Sequence, residues 1–461
     1  MKIADVNHYF SSYFQQIKEE KGCPEKLDLM RKASKKQFLE TGMPDASQEA
    51  WRHFPWERLT ANTYHICTQP DDYRPSETYF HCDNEELHSA MFTFLNGWYL
   101  HKNAPLTRFP NGLIAGSLRQ ACLDCPELVW PYLQSAIGKP NGLVHFNMAL
   151  WQDGFFVYVP ERLQLRDPIQ LVNLVKSEAT DNILIQMRNL VVLENGAALK
   201  LIHCDESMAC EHSLINTVTE IFVGAHARFD YYKLENKDNQ SSLINHLFVR
   251  QEADSEVNTH TSTFNGGLVY NTIAVDLAGP HARVNNNGLY LADGKQHVSN
   301  YVYIAHQAPD CVSNQLYKGI LDDEAKSAFT GHVLVKPHAQ HTEAHQINRN
   351  ILLKDTARIS AKPFLEIYAD DVQCTHGATV GQLDEQAIFY LRSRGICEHN
   401  ARLLLMHAYT REVTGKMDIP AIVERIEEWV EKRLAGENIS CTHCMSDCCK
   451  TIQFHIEAPD F

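Results

Sequence analysis

The sequence predicts a mainly β fold: a solenoid of stacked turn-and-strand units between a helical N-terminal region and a small C-terminal helical cap. From about Gly142, short β-rich runs follow one another as far as Tyr368, with no helical stretch of ordinary length among them, which argues against a βαβ architecture. Within them recurs a degenerate unit made of a turn residue, an alanine, a polar residue and a strand-facing apolar residue. Its copies are Gly196-Ala197-Ala198-Leu199, Gly224-Ala225-His226-Ala227-Arg228-Phe229, Gly279-Pro280-His281-Ala282-Arg283-Val284 and Asp355-Thr356-Ala357-Arg358-Ile359. Such a unit cannot bury a face alone, whereas stacked coils bury a continuous core. An ordinary β-sandwich is the competing arrangement.

Residues 1–140 read as mainly helical. Tyr13, Phe14 and Ile17 fall at helical spacing before Gly22-Cys23-Pro24, and Leu27, Met30 and Phe38 before Gly42-Met43-Pro44-Asp45, where Pro44 disfavours a helical Met43. Leu87, Met91 and Phe92 after Glu85-Glu86 suggest a further short helix with acidic residues in its first turn. The β core is placed at 141–383. At 384–435 the pattern turns helical: Asp384 can cap a helix bearing Ala387, Ile388, Tyr390 and Leu391, and Gly395 permits a left-handed stop. Helices over Glu398–Val413 and Ile419–Leu434 follow, the latter with Pro420 in its first turn. Residues 436–461 form a polar, cysteine-rich tail without assigned structure.

The chain has 461 residues, enough for two or three structural units unless one grows by repetition. Its start has no apolar run of the secretory type, and no stretch reaches the roughly 18 apolar residues of a spanning helix. A soluble, cytoplasmic protein with no membrane association is expected. A formal charge of −15, from 57 acidic and 42 basic residues, would repel phosphate backbones, so nucleic acid is not an expected partner. The 14 cysteines, spread through a long chain without an export signal, are expected to be reduced and mostly packed as small hydrophobes.

Few residues carry chemistry. His376 follows a strand and precedes Gly377, a place from which an imidazole, a good ligand for transition metals, can reach across to a partner, although a histidine beside glycine is by itself more often structural. Cys374, two residues earlier, would share its face on a regular strand and could supply a thiolate, but a packed cysteine is the favoured reading, since two ligands are too few to define a metal site. Cys122 and Cys125 have Cys-x-x-Cys spacing but no second pair, and read as a chance pair on a helix. Cys441, His443, Cys444, Cys448 and Cys449 offer four thiols and an imidazole to a metal, against the entropy of ordering a flexible segment. His332, His338, His341 and His345 are unevenly spaced and so point to different faces. There is no phosphate loop: Gly288 to Lys295 has the wrong spacing and is followed by Gln296.

Two segments resemble the SufB/SufD family of iron-sulfur cluster assembly scaffolds. Phe146 to Pro160, with Leu165 and Pro168-Ile169, is similar to the strand pair that opens the family's β-helix. Leu365 to Gly381, continuing through Asp384-Glu385 into Phe389 to Ile396, is similar to the SufD-like branch, and Glu49-Ala50-Trp51-Arg52-His53-Phe54 matches the family's N-terminal pattern. The SufB branch carries a cysteine well before its equivalent of His376, and Gln346 to Ala361 holds none, which places the chain on the SufD-like side.

The resemblance implies a right-handed parallel β-helix core flanked by N-terminal and C-terminal helical regions. It also implies a scaffold subunit that is not itself an enzyme, pairing with a SufB-type subunit and docking a SufC-type ATPase. In that reading His376, with Cys374 beside it, lies at the SufB interface, where a transient iron-sulfur cluster is shared. Phe389, Tyr390, Leu391, Arg392, Arg394, Gly395 and Ile396 then belong to the SufC-docking segment. Cluster type and flavin binding by the assembled complex are not encoded in any readable motif. The competing functions are a carbohydrate-active β-helix enzyme, for which Asp370-Asp371 are poorly placed because strand neighbours face opposite ways, and a metal-delivery protein using the cysteine-rich tail.

Overall fold

The computed structural model describes residues 3–15, 24–67, 89–101, 104–176, 182–207 and 212–436. The N-terminal part contains helices α1 (Ile3–Ser12), α2 (Glu25–Thr41) and α3 (Trp56–Leu59), then strands β1 (His65–Ile66), β2 (Ala90–Leu95), β3 (Trp98–Leu100), β4 (Leu106–Arg108) and β5 (Ile114–Ser117). Helices α4 (Leu118–Asp124), α5 (Pro126–Val129) and α6 (Gly142–Leu150) lead into the core. Its strands are β6 (Phe155–Val159), β7 (Ile169–Val175), β8 (Ile183–Leu193), β9 (Ala198–Ser207), β10 (Ser213–Val223), β11 (Arg228–Asn236), β12 (Ser242–Gln251) and β13 (Glu256–Asn265). They continue as β14 (Leu268–Leu277), β15 (Arg283–Ala292), β16 (His297–His306), β17 (Val312–Leu321), β18 (Lys326–Val335), β19 (Thr342–Leu352), β20 (Arg358–Ile367) and β21 (Val372–Gly381). Helices α7 (Glu385–Ser393), α8 (Glu398–Thr414) and α9 (Pro420–Leu434) close the described chain.

From β6 onward successive strands enter opposite sheets, so one sheet stacks the even strands from β6 to β20 and the other the odd strands from β7 to β21. Neighbours within a sheet are parallel, as in Leu214↔Ser242 and Ser242↔Leu268 on the even side and Glu256↔Arg283 on the odd side. A chain that changes sheet at every turn and returns one rung along is a parallel β-helix, here of about seven coils. The sandwich alternative is excluded, since sandwiches pair their strands antiparallel.

The degenerate repeat proves to be a coil corner. Gly196, His226, Asp254, His281, Asp310 and His341 occupy equivalent corners with φ of 68°, 59°, 56°, 61°, 60° and 58°. The next residue in each, Ala197, Ala227, Ser255, Ala282, Cys311 or Thr342, is small and buried. The copy at Asp355 to Ile359 lies on the opposite corner, between β19 and β20, and its Ala357 is also buried. Between the sheets, aliphatic residues such as Ile215, Leu243, Val269 and Val298 form one continuous cluster with Leu199, Phe229, Val257 and Val284. Each such side chain contributes about 1.5–3 kcal/mol on burial.

Both outer faces are covered. N-terminal residues Phe10, Tyr13, Phe38 and Phe146 pack on Leu184, Leu214, Ile244 and Tyr270 of the even sheet. Trp51 stacks on Tyr270 at 4.0 Å between centroids, and Tyr270 Oη donates to the Ala50 carbonyl at 2.8 Å. Glu49 reaches Lys362 of β20 at 2.6 Å, tying the N-terminal region to the last coil. On the odd sheet, Met406, Ile422, Ile426 and Trp429 of the C-terminal helices cover Leu234, Phe264, Leu289 and Leu291. Among the described residues no helix is long and apolar enough to cross a membrane.

Three expectations need correction. Met91 and Phe92 lie on β2, not on a helix (Leu87 falls outside the described residues), because Ala90–Leu95 pairs in parallel with β7 and drives Phe92 and Phe94 into the core. Strands β1 to β5 therefore stand within the region read as mainly helical. Phe146 to Leu150, read as part of a strand pair, is the end of α6, whose N-terminus is capped by the Asn141 side chain accepting from Val144 N–H. The buried Asn147 amide donates to the Met187 and Asn216 carbonyls, at 2.8 and 2.9 Å, and fixes that helix on the even sheet.

Candidate functional site

The last coil exposes residues that every earlier coil buries. Among the described strands, β20 and β21 each pair on one side only, with β18 and β19, so their other edges are open to pairing. The two edges differ. β20 contains Lys362 and Pro363, residue types that block further pairing, whereas the ten residues Val372–Gly381 include no Lys, Arg, Asp, Glu or Pro. Val372 and Cys374 are part-buried and every residue from Thr375 to Gly381 is exposed. Large apolar side chains are exposed around this end: Phe364, Ile367, Tyr368 and Val380.

His376 sits on this unguarded strand, opposite Gln346 in the register. Gln346 is buried and its amide donates to Gln315 Oε1 at 3.0 Å, so a polar column backs the imidazole on the coil side. Gly331 makes that column fit, since a Cβ there would fall 1.4 Å from Gln346 Nε2. Cys374 packs against the small cluster of Val333, Val335, Ala344 and Ala369, and burial raises its pKa, which disfavours thiolate. On the outer side, His345 Nδ1 lies 2.8 Å from Thr375 Oγ1.

Three residues separate β21 from α7. Asp384 caps α7 by accepting from the Gln386 and Ala387 N–H groups, and Gly395 ends the turn after it at φ 88°. Within the segment singled out from the sequence, Ile388 is buried and Leu391 and Ile396 pack on the cluster beneath the cap. Tyr390 is not on that inner stripe: Phe389 is 74% and Tyr390 57% exposed, with the Arg394 guanidinium 5.3 Å from the Tyr390 ring. Arg392 pairs with Glu398 at 3.2 Å. Ion pairs such as Lys318–Glu412 and Arg433–Asp293 hold the cap on the odd sheet.

Other candidates are scattered. His332 stacks on Phe364 at 4.2 Å and contacts Glu366 at 3.0 Å, while His338 and His341 are exposed on the following turn. Cys122 and Cys125 are buried, without a disulfide, and burial pushes the Cys125 thiol up to about 11. Cys441, His443, Cys444, Cys448 and Cys449 lie outside the described residues. Among the described residues no group of three or more His, Cys, Asp or Glu side chains is placed to hold a metal ion.

Sequence reasoning missed an ionic cluster inside the coils. Lys233 Nζ meets Asp205 at 2.5 Å and His203 Nε2 at 3.0 Å, and His203 Nδ1 meets Tyr231 Oη at 2.7 Å, all of them buried. Burial, reinforced by Lys233, lowers the His203 pKa to about 3, so the ring is neutral, accepts at Nε2 and donates at Nδ1. Against its own burial, Asp205 is held at about 2 chiefly by Lys233, with Lys237 adding to it. A cavity of about 20 Å³ beside Lys233, Thr217 and Asn245 has room for about one water. Only the alternation of Lys233 and Glu235 with strand residues hinted at this cluster.

Comparison with known proteins adds a family. Residues 175–409 match the model described as "SUF system FeS cluster assembly, SufBD core domain", and residues 4–171 match the "SufBD protein N-terminal region". An iron-sulfur cluster assembly SufBD family protein of Synechocystis is 29% identical over 356 residues, 76% of this chain and 78% of the relative. The iron-sulfur cluster assembly protein SufD of Escherichia coli is 26% identical over 406 residues, 87% and 91% of the two chains. Its namesake in Bacillus subtilis is 24% identical over 326 residues, 70% and 74%.

Proposed function

The chain belongs to the SufBD family of iron-sulfur cluster assembly proteins, and from that premise we propose that it is a non-catalytic scaffold subunit. It pairs through its last coil with a SufB-type subunit and docks a SufC-type ATPase on α7. The observation that carries the reading is β21: an unguarded, uncharged edge strand that bears His376 and runs within three residues into a helix exposing Phe389 and Tyr390. An edge of this kind invites strand addition by another protein, and exposed aromatic side chains are common interface anchors.

The iron-sulfur cluster is cargo, assembled transiently between the two subunits. His376 supplies a neutral nitrogen ligand from the edge; a nitrogen donor in place of a thiolate withholds negative charge from the iron and favours release. Cys374 contributes packing ahead of ligation, because its thiol is part-buried and its pKa raised. The ATPase supplies hydrolysis, since the chain has no phosphate loop. A cytoplasmic location fits this role. The carbohydrate-enzyme alternative loses ground because Asp371 is engaged with His341 at 3.4 Å on an exposed turn.

Co-purification with SufB-type and SufC-type partners tests the reading. Val380→Lys, which charges the exposed edge, is expected to abolish SufB-type pairing and leave SufC-type binding intact. Retention of both partners at wild-type level would refute edge pairing.

A further inference from the structure

One corner of the β-helix carries an alternating ladder of histidine and aspartate. His226, Asp254, His281, Asp310 and His341 fall on successive coils, each left-handed, and Asp371 follows on the last. Histidine and aspartate tolerate this conformation better than most residues, which explains their presence but not their alternation. Their backbones form a spine: His226 N–H donates to Ala253, Asp254 to Pro280, His281 to Pro309, Asp310 to Gln340 and His341 to Asp371. Side chains pair along it as well, with His226 3.7 Å from Asp254.

The last three rungs differ from the others. The His341 ring lies between two carboxylates, with Nδ1 3.0 Å from Asp310 Oδ1 and Nε2 3.4 Å from Asp371 Oδ2. A neutral imidazole donates from one nitrogen only and would turn a lone pair toward the other carboxylate, so both contacts are attractive only in the imidazolium form. The charged groups facing the ring are Asp310 from the preceding corner and Asp371 from the following one; Lys336, His338 and Glu343 flank it on its own turn. Asp371 immediately precedes β21, and its N–H donates to Gln340 Oε1 at 2.9 Å. The strand bearing His376 is thus anchored at its start by His341 and Gln340, while its outer edge has no partner among the described strands.

We propose that His341 is a positioning residue for the terminal strand: as imidazolium it clamps Asp371 to Asp310 and seats β21, and on losing its proton it loosens that strand. The importance of the strand rests on the scaffold reading above; the clamp itself does not. An exposed clamp of this kind is weak, so its effect is a modulation and not an on-off switch.

The test is amide hydrogen exchange of residues 372–381 across the imidazole titration, corrected for intrinsic pH dependence, on the full chain. Protection in the wild type is expected to fall about threefold as pH rises. His341→Asn keeps a residue tolerant of the left-handed corner but cannot be protonated, and Asp371→Asn removes one jaw; both are expected to show low protection with no pH response. A wild type without the pH response, or the same response in His341→Asn, would overturn the proposal. If the clamp behaves as expected but His376→Ala still assembles clusters normally, the scaffold reading of the strand falls while the clamp stands.

Discussion

At the residue scale, the interior ion pair and the glycine at the open end make the sharpest claims. Lys233→Met leaves the buried Asp205 carboxylate without its directly paired cation and is expected to cost about 3–5 kcal/mol in chemical denaturation. The double change with Asp205→Asn should recover much of that loss. Gly331→Ala drives a methyl into the Gln346 amide, for an expected cost of about 1–3 kcal/mol that Gln346→Ala relieves. Residues with local signatures were legible in the sequence: Asp384 as a cap, Gly395 as a stop and Pro420 at a helix start all occupy those places. His203 and Lys233 were not, because facing into a lumen is set by coil register, and register is a property of strands about one coil apart.

At the element scale, the docking helix and the terminal strand separate two partners. Tyr390→Asp alters an exposed side chain, so it is expected to leave the melting temperature unchanged while weakening SufC-type binding about tenfold or more in a titration. Pairing with the SufB-type subunit should be unaffected by it. Removal of Asn438 to Phe461 takes away only residues that follow the last described helix, and the shortened chain is expected to fold and enter the complex as the full one does. Aggregation of the truncated chain would contradict this. The strands were legible from their composition, and the repeat from its alanines. The hairpin of β2 and β3 carried a readable signal in Asn96-Gly97, both left-handed at φ 51° and 83°, which helical spacing at Met91 and Phe92 obscured. What decided between the two was the partner β7, a long-range contact that no local window contains.

At the scale of the whole molecule, the β-helix is built for neutral pH. Burial lowers His203 and His246 to about 3, and His260, His297 and His306 to about 4, from an ordinary 6.5. Between those values the unfolded chain binds protons that the folded chain refuses, so stability is complete above about pH 6.5 and is lost as pH falls toward 4. Each histidine contributes a slope of about 1.4 kcal/mol per pH unit in that window. Asp153, raised to about 6 by burial, has the opposite sign and offsets part of it. Denaturation at stepped pH should show uptake of several protons on unfolding near pH 5; a flat profile from pH 7 to 4.5 would contradict the burial of these rings. The central claim, that the open coil is where a cluster is built against a partner, is tested most directly by iron and acid-labile sulfide per complex. Complexes of SufB-type and SufC-type subunits with the wild-type chain and with His376→Ala should form in equal yield, the first carrying iron and sulfide and the second near background. Equal iron and sulfide in both would contradict it.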